Sequence, residues 1–413
     1  MIIKVSVSKL RPGMFVHDFN CDWLHHPFFS NQLLLKDRGM IEKIINQNIR
    51  EVYIDTGKGL APAQESPRTA TAVAEPPEEE KAPEPEMPEV DPFEERLSHI
   101  RERAIGDEIP DAAKARKKAE TVLDNIFAEV QAGREINVRA TRAAGEEMVE
   151  SALRNKHALP AVVKLTKANQ YLRSRAVNVA SLMVSFGAHL GMPPAEMVDL
   201  AVGSLLHDIG MLRIDPAILA KPGKLTDEEY QQIKLHVAIA AEMLNGTGEV
   251  APESREIVTM HHERNNGSGY PEGLKGSAIP PAAGMAGIAD AYDAMTTARS
   301  YRGEMKLSAA NRKLFEIAAL EQFDDKLVQS FIQCTGLYPV GSVVGLSSGK
   351  LGIVIRQNPE NLLKPVVRVI YDNKRGSFIR PRDVDILHNT DGEEVVPTPP
   401  DVKWKINILD YIS

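Results

Sequence analysis

Apolar residues change their spacing twice along this chain. Near the start they alternate with polar ones, as in Ile2-Ile3-Lys4-Val5-Ser6-Val7, the period of a half-buried strand. Short strands are predicted at Ile2–Val7, Leu33–Leu35 and Glu51–Ile54, with a helix over Arg38–Gln47. From about Phe93 to Ala132 the pattern is helical, and Val122, Ile126 and Val130 recur at every fourth position, which places them on one side of a helix. Residues 136–338 read as helix after helix. Tyr171–Leu190 carries Val177, Val179, Leu182, Met183, Phe186 and Leu190 on a broad apolar face, and Ala195–Asp208 is apolar on nearly all sides, so the latter is expected at the centre of a bundle. Thr226–Leu244 opens on Thr226-Asp227-Glu228-Glu229, a capping residue followed by acids that suit the positive end of a helix. Ala282–Thr297 is another long helix. After Tyr338 the spacing shortens again: Gly341–Leu346, Leu351–Arg356 and Val366–Tyr371 are β-rich and separated by turn-forming pairs such as Ser348-Gly349 and Asp372-Asn373.

The predicted fold class is mainly α: a helical bundle with a small α+β N-terminal domain and a short β-rich C-terminal appendage. The expected boundaries are a 1–60 α+β domain, a 61–95 linker, a 96–135 helical connector, a 136–338 helical domain and a 339–413 β-rich extension.

Charge sharpens this division. The net charge of −8 belongs to residues 61–95, which hold eleven acidic and two basic side chains among many prolines. Such a segment cannot bury enough apolar surface to offset its ordering entropy, and is expected to be a disordered, self-repelling tether. The rest is near neutral, which gives no reason to expect a nucleic acid polymer as partner. No apolar run is long enough for a membrane span, and the first residues lack the apolar block of a signal peptide. Two cysteines, Cys21 and Cys334, make no disulfide framework. Together these features point to the cytoplasm.

The candidate chemistry lies in the helical region. His207-Asp208, His236, His261-His262 and Asp290 follow in that order. Taken singly, each has an ordinary reading: Asp208 a cap or salt bridge, His236 a satisfied core histidine, Asp290 and Asp293 an ion-pair face with Arg299 and Arg302. Jointly they form the donor set that a transition metal takes from several elements at once. Asp290 and Asp293 share a helical face, so one can ligate while the other orients a ligand from behind. A carboxylate such as Asp208 can bridge two cations, the usual device for phosphate ester hydrolysis.

The motifs that follow carry a resemblance. His261-His262-Glu263-Arg264-Asn265-Asn266-Gly267-Ser268-Gly269-Tyr270-Pro271 and the stretch Asp290 to Arg302, after His207-Asp208 and His236, resemble the HD-GYP family, a subclass of the HD metal-dependent phosphohydrolases. The resemblance covers roughly residues 150–338, and the front end is similar to family architectures with an N-terminal domain of unknown function. It implies an HD-type helical bundle and hydrolysis of cyclic di-GMP to pGpG and GMP, using iron or manganese, one or two divalent ions per chain. It also implies that Asp208 bridges, that His207 and Asp290 complete one cation site, and that His236, His261 and His262 complete the other. Asp208 and Asp290 would carry the catalysis. Arg299 and Arg302 would bind substrate phosphates, and Tyr270 would shape the pocket. The Gly269-Tyr270-Pro271 loop would contact partners such as diguanylate cyclase domains. The 93–132 helix is a candidate homodimer contact.

Two positions depart from the family pattern. Arg175 stands where the family has its first metal histidine, and a guanidinium has no lone pair to ligate with. Its expected role is to pair with Asp208 or Asp290 in place of part of a cation's charge. Met211 stands where the family usually has a lysine after His-Asp-x-Gly. The leading expectation is a weakened phosphodiesterase. The alternative is a degenerate domain that senses cyclic di-GMP or docks diguanylate cyclases without hydrolysis. A third reading, an HD-type phosphohydrolase acting on a different nucleotide, is disfavoured by the signature loop.

Overall fold

The computed structural model describes residues 2–18, 33–35, 38–46, 49–60, 91–165, 171–221, 223–245, 247, 250–297, 305–358, 360–396 and 411. The chain divides into two compact units, Met1–His99 and Ile100–Ser413.

The first unit is built on an antiparallel sheet of β1 (Ile2–Ser6), β2 (Phe15–Asp18), β3 (Leu33–Leu34) and β4 (Glu51–Asp55) in the order β1-β4-β2-β3. The register pairs Ile3 with Ile54 and Val5 with Val52. Val5, Val16, Val52 and Ile54 share one core with Ile41 and Ile44 of helix α1 (Arg38–Asn46), as alternation along the strands requires. β2 is an addition to the predicted elements. Of the expected linker, residues 61–90 lie outside the described residues, and Asp91 caps α2 (Pro92–Ser98) by accepting from Phe93 N at 2.9 Å.

The second unit begins with α3 (Ile105–Gln131), so the helix predicted from Phe93 to Ala132 is in fact two. Tertiary hydrogen bonds explain the break: Arg103 N donates to Arg154 O at 2.9 Å, and Asn155 Nδ2 donates to Arg103 O at 3.0 Å. These bonds hold the backbone before α3 in a conformation that no helix would allow. The helical body continues through α4 (Val138–Arg154), α5 (Ala158–Leu165), α6 (Tyr171–His189), α7 (Pro194–Leu206), α8 (Pro216–Leu219), α9 (Asp227–Asn245), α10 (Pro252–Met260), α11 (Pro281–Thr296), α12 (Leu307–Ala318) and α13 (Asp325–Thr335). The apolar-all-round α7 is central: it packs on α4, α6 and α10, and Leu200, Leu205 and Leu206 are buried. α3 packs along α4, α5 and α6. The start of α9 shows a reciprocal capping box, Glu229 N to Thr226 Oγ1 at 3.2 Å and Thr226 N to Glu229 Oε2 at 2.7 Å.

The C-terminal sheet is antiparallel, with β5 (Val343–Leu346), β6 (Lys350–Arg356), β7 (Val366–Asp372), β8 (Ser377–Asp385) and β9 (Val395–Val396) in the order β8-β7-β6-β5-β9. Val344, Leu346, Val354, Val367 and Val369 make its core. β8 escaped the sequence reading because it is polar and contains Pro381, both of which an edge strand tolerates.

Where α6 meets α13, the Phe186 and Phe331 rings pack edge to face with centroids 5.3 Å apart, and both are fully buried. Phe186→Ala is expected to destabilise this unit by about 3–5 kcal/mol, read as a shift in the urea midpoint. A loss under about 1 kcal/mol would mean the site collapses freely around the missing ring.

Candidate metal centre

Helix ends and one loop assemble the site. His207 and Asp208 follow α7, where the chain turns into a 3-10 segment, Ile209–Arg213, that packs on α9. This turn needs Gly210: a Cβ there would lie 2.0 Å from His236 O. His236 comes from the middle of α9, His261 and His262 from the end of α10, Asp290 from the middle of α11 and Arg175 from α6.

The backbone aims three of the imidazoles. His207 Nδ1 sits 2.7 Å from Ser204 O, His236 Nδ1 2.7 Å from Ile233 O, and His261 Nδ1 2.9 Å from Ile257 O. A carbonyl can only accept, so each Nδ1 carries the hydrogen and each Nε2 is free to act as a donor atom toward the interior. The buried Nε2 atoms of His207, His236 and His261, both carboxylate oxygens of Asp208 and Oδ1 of Asp290 make no hydrogen bonds. Buried polar atoms left this way are costly unless something electropositive meets them. Donor atoms of Asp208, His236, His261 and His262 all lie within 4.8 Å of one another, a spacing that suits bonds of about 2.0–2.2 Å to a central ion. These residues therefore fit a divalent cation.

Asp208 faces two ways. Its Oδ1 lies 3.4 Å from His236 Nε2 and 3.9 Å from His261 Nε2, while its Oδ2 lies 3.2 Å from His207 Nε2 and 2.8 Å from Arg175 Nε. Arg175 Nη2 reaches Asp290 Oδ1 at 2.6 Å, and His207 Nε2 is 3.7 Å from that oxygen. His207 and Asp290 are thus brought to the centre, on the side that Arg175 occupies and outside the four-donor group. Protonation follows this division. Burial works against a charged His207, but Asp208 and Asp290 outweigh it and push its pKa up to about 10. Burial likewise opposes ionised Asp208 and Asp290; for Asp208 the charges of His207 and Arg175, and for Asp290 those of Arg175 and His207, hold both carboxyls below the usual range. On the other side burial keeps the histidines neutral, as ligands must be: His261 is pulled down to about 3, and His236 and His262 are also lowered.

The Gly-Tyr-Pro loop is hung from the residue that follows His262. The buried Glu263 carboxylate accepts from Glu272 N at 2.8 Å, Gly273 N at 3.2 Å and Leu274 N at 2.9 Å. Gly269 passes so close to His262 O and Glu263 Cα that a Cβ would lie 2.5 Å from each. Tyr270 N donates to His262 O at 3.2 Å, and the Tyr270 ring stacks on His262 with centroids 4.5 Å apart. Lys234 lies over Tyr270 at 5.1 Å and over Tyr230 at 4.9 Å.

A cavity of about 1160 Å³ opens over the centre, lined among others by Phe127, Arg173, Arg175, Met211, Tyr230 and Tyr270. Its volume is that of a site for a large ligand. Arg299 and Arg302 lie outside the described residues. Asp293 is buried, but it orients no histidine: its Oδ1 accepts from Asn178 Nδ2 at 2.8 Å and from Thr297 Oγ1 at 2.9 Å. Sequence reasoning also missed Glu263, Asn178 and the cavity wall that α3 supplies through Phe127.

Comparison with known proteins fits this centre. Residues 158–327 match the family model described as an HD domain, and residues 2–141 match a domain of unknown function. A cyclic di-GMP phosphodiesterase of Pseudomonas aeruginosa is 31% identical over 411 residues, 99% of this chain and 95% of that protein. A cyclic di-GMP phosphodiesterase response regulator of Xanthomonas campestris is 34% identical over 160 residues, covering 38% of this chain and 41% of its own. A 3'3'-cGAMP-specific phosphodiesterase of Vibrio cholerae is 38% identical over 143 residues, covering 34% and 32%. A solved structure of an HDG"Y"P protein from Bdellovibrio bacteriovorus aligns with a TM-score of 0.46 at 18% identity, covering 80% of this chain and 98% of that one. The near-full-length similarity, together with a His-Asp centre and its Gly-Tyr-Pro loop, means that the chain belongs to the HD-GYP family of metal-dependent phosphohydrolases.

Proposed function

We propose that this protein is a metal-dependent phosphodiesterase that hydrolyses cyclic di-GMP to pGpG and GMP in the cytoplasm, at a rate reduced by Arg175 and Met211. The observation that carries this reading is the four-donor group of Asp208, His236, His261 and His262 at the floor of a large cavity. These four would hold one iron or manganese ion, and Asp290 and His207 would hold a second only if Arg175 gave way. When bound, such a cation supplies Lewis acidity to a phosphodiester and to water beside it. The chain's own residues do the rest. Carbonyl-anchored imidazoles fix the direction of the donors, and Arg175 offsets the charge of Asp208 and Asp290. Arg299 and Arg302 would meet the phosphates, since Arg173 and Lys221 in the cavity wall are already paired with Asp124 at 2.6 Å and Glu229 at 2.6 Å. Tyr270 offers a flat face to a nucleobase. Residues 1–60 would act as an input domain on the 61–95 tether.

One observation favours a second reading. Arg175 contacts both carboxylates of the first cation position, which suits a domain that binds cyclic di-GMP, or docks diguanylate cyclases through Gly269-Tyr270-Pro271, without cleaving it. No helix among the described residues is long and apolar enough to cross a membrane. A homodimer is also part of this proposal.

Metal analysis and turnover decide between the two readings. Protein loaded with Fe²⁺ or Mn²⁺ is expected to bind metal and to release pGpG, with 3'3'-cGAMP as the competing substrate to test alongside. Asp208→Ala should reduce turnover by about 10²–10³-fold or more. Absence of both metal and product would reject the enzyme, and nucleotide binding that survived would then support the sensor.

The departures are tested directly by the double change Arg175→His with Met211→Lys. It is expected to raise turnover by at least roughly tenfold, a fraction of what one charge-stabilising group commonly contributes, and to raise metal stoichiometry. If rate and metal content both stay put, these positions do not limit the reaction.

A further inference from the structure

A buried polar chain runs from α3 to the helices behind the metal centre. Arg116 of α3 is 4% exposed; its Nε lies 3.1 Å from Glu120 Oε1, and its Nη1 donates to Asn178 Oδ1 at 2.9 Å. Asn178 of α6 is itself buried and donates through Nδ2 to Asp293 Oδ1 at 2.8 Å on α11. Asn178 stands three residues after Arg175, and Asp293 three residues after Asp290, so each pair shares one face of its helix. The two helices are therefore clasped twice, one turn apart: by Arg175 to Asp290 at 2.6 Å, and by Asn178 to Asp293 at 2.8 Å.

Arg116 decides which way Asn178 faces. A guanidinium only donates and a carboxylate accepts, so the amide must turn its oxygen to Arg116 and its nitrogen to Asp293. Without Arg116 the amide can flip and set its oxygen against the Asp293 carboxylate. We infer that Arg116, acting through Asn178 and Asp293, is a positioning residue that sets the spacing of α6 and α11 and thereby shares Arg175 between Asp290 and Asp208. When the clasp loosens, Arg175 falls more fully on Asp208 and competes there with a bound cation. The matched domain of unknown function runs to residue 141 and so includes α3, which places the first residue of this chain in the N-terminal module and the last beside the centre.

The test compares Arg116→Met, Arg116→Lys and Arg154→Met in the full chain. Arg154 is a control of similar kind, pairing with the buried Glu108 at 2.7 Å across α3 and α4. Co²⁺ affinity, measured by chelator competition, and the visible Co²⁺ spectrum are read together with Tm, kcat and KM. Arg116→Met is expected to weaken Co²⁺ binding at least threefold and to lower kcat by about tenfold with KM nearly unchanged, within the range of couplings carried by such networks. Arg116→Lys should recover much of both. Arg154→Met should lower Tm without moving the Co²⁺ affinity or spectrum. If Arg116→Met does not fold, Asn178→Ala carries the same comparison. Wild-type Co²⁺ affinity and spectrum in Arg116→Met, or equal weakening in Arg154→Met, would overturn the assignment. The rate arm rests on the phosphodiesterase reading; a wild type that binds Co²⁺ but turns nothing over sinks that reading and leaves the Co²⁺ arm to judge Arg116.

Discussion

Two carboxylates, Asp208 and Asp290, are buried side by side, 5% and 4% exposed, and the rest of the centre exists to make that tolerable. Like charges in a low-dielectric interior repel, and each loses its hydration as well. The fold answers with one permanent cation and one protonated imidazole, Arg175 and His207, on a single side of Asp208. The opposite oxygen of Asp208 is turned to three neutral histidines that have no charge to offer it. The same carboxylate is thus satisfied on one side and left wanting a cation on the other, and this asymmetry is what turns a charge-balanced core into a candidate metal seat.

Holding that asymmetry requires directional control, and the backbone supplies it. Each of three imidazoles is tethered by Nδ1 to a carbonyl one helical turn or less away, so ring direction is inherited from helix geometry rather than from loose side-chain packing. The Glu263 carboxylate does the same for the Gly-Tyr-Pro loop by gathering three backbone N–H groups, in the manner of an anion in a nest of amides. Tyr270 then rests on His262. Loop shape and ligand direction are therefore set by consecutive residues, His261 to Glu263, and a disturbance of either reaches the other.

How much of this was readable from residue types depends on range. The helices from α6 to α11 follow the period of their apolar residues, and the metal-type residues stand out because imidazoles and carboxylates are costly in such helices. Pairing of Arg175 with Asp208 and Asp290 was open to charge reasoning, since a guanidinium at a ligand position has little else to do. Asn178 and Arg116 were invisible for the opposite reason. An asparagine among apolar neighbours, or an arginine in a helix as rich in Lys and Arg as α3, reads as an ordinary solvated residue. The one signal is positional: Arg116 falls on the buried stripe of Ala112, Ala115, Ala119 and Leu123, where a permanent charge needs an explanation. Edge strand β8 and the break before α3 were hidden for want of local signals, because edge pairing and the bonds from Arg103 and Asn155 arise only in three dimensions.

The two departures from the family pattern also bear on each other. Arg175 replaces a neutral ligand by a positive charge, and Met211 replaces a positive charge by a neutral side chain; both line the same cavity. The sum of formal charge around the two carboxylates is unchanged by the pair, whereas either change alone alters it by one unit. A lysine at 211 beside Arg175 would crowd a second cation toward carboxylates already paired, and a histidine at 175 beside Met211 would leave the phosphate side short of positive charge. The electrostatic balance of this centre is accordingly a property of positions 175 and 211 together, and a chain that had merely decayed would have no reason to keep their charges complementary.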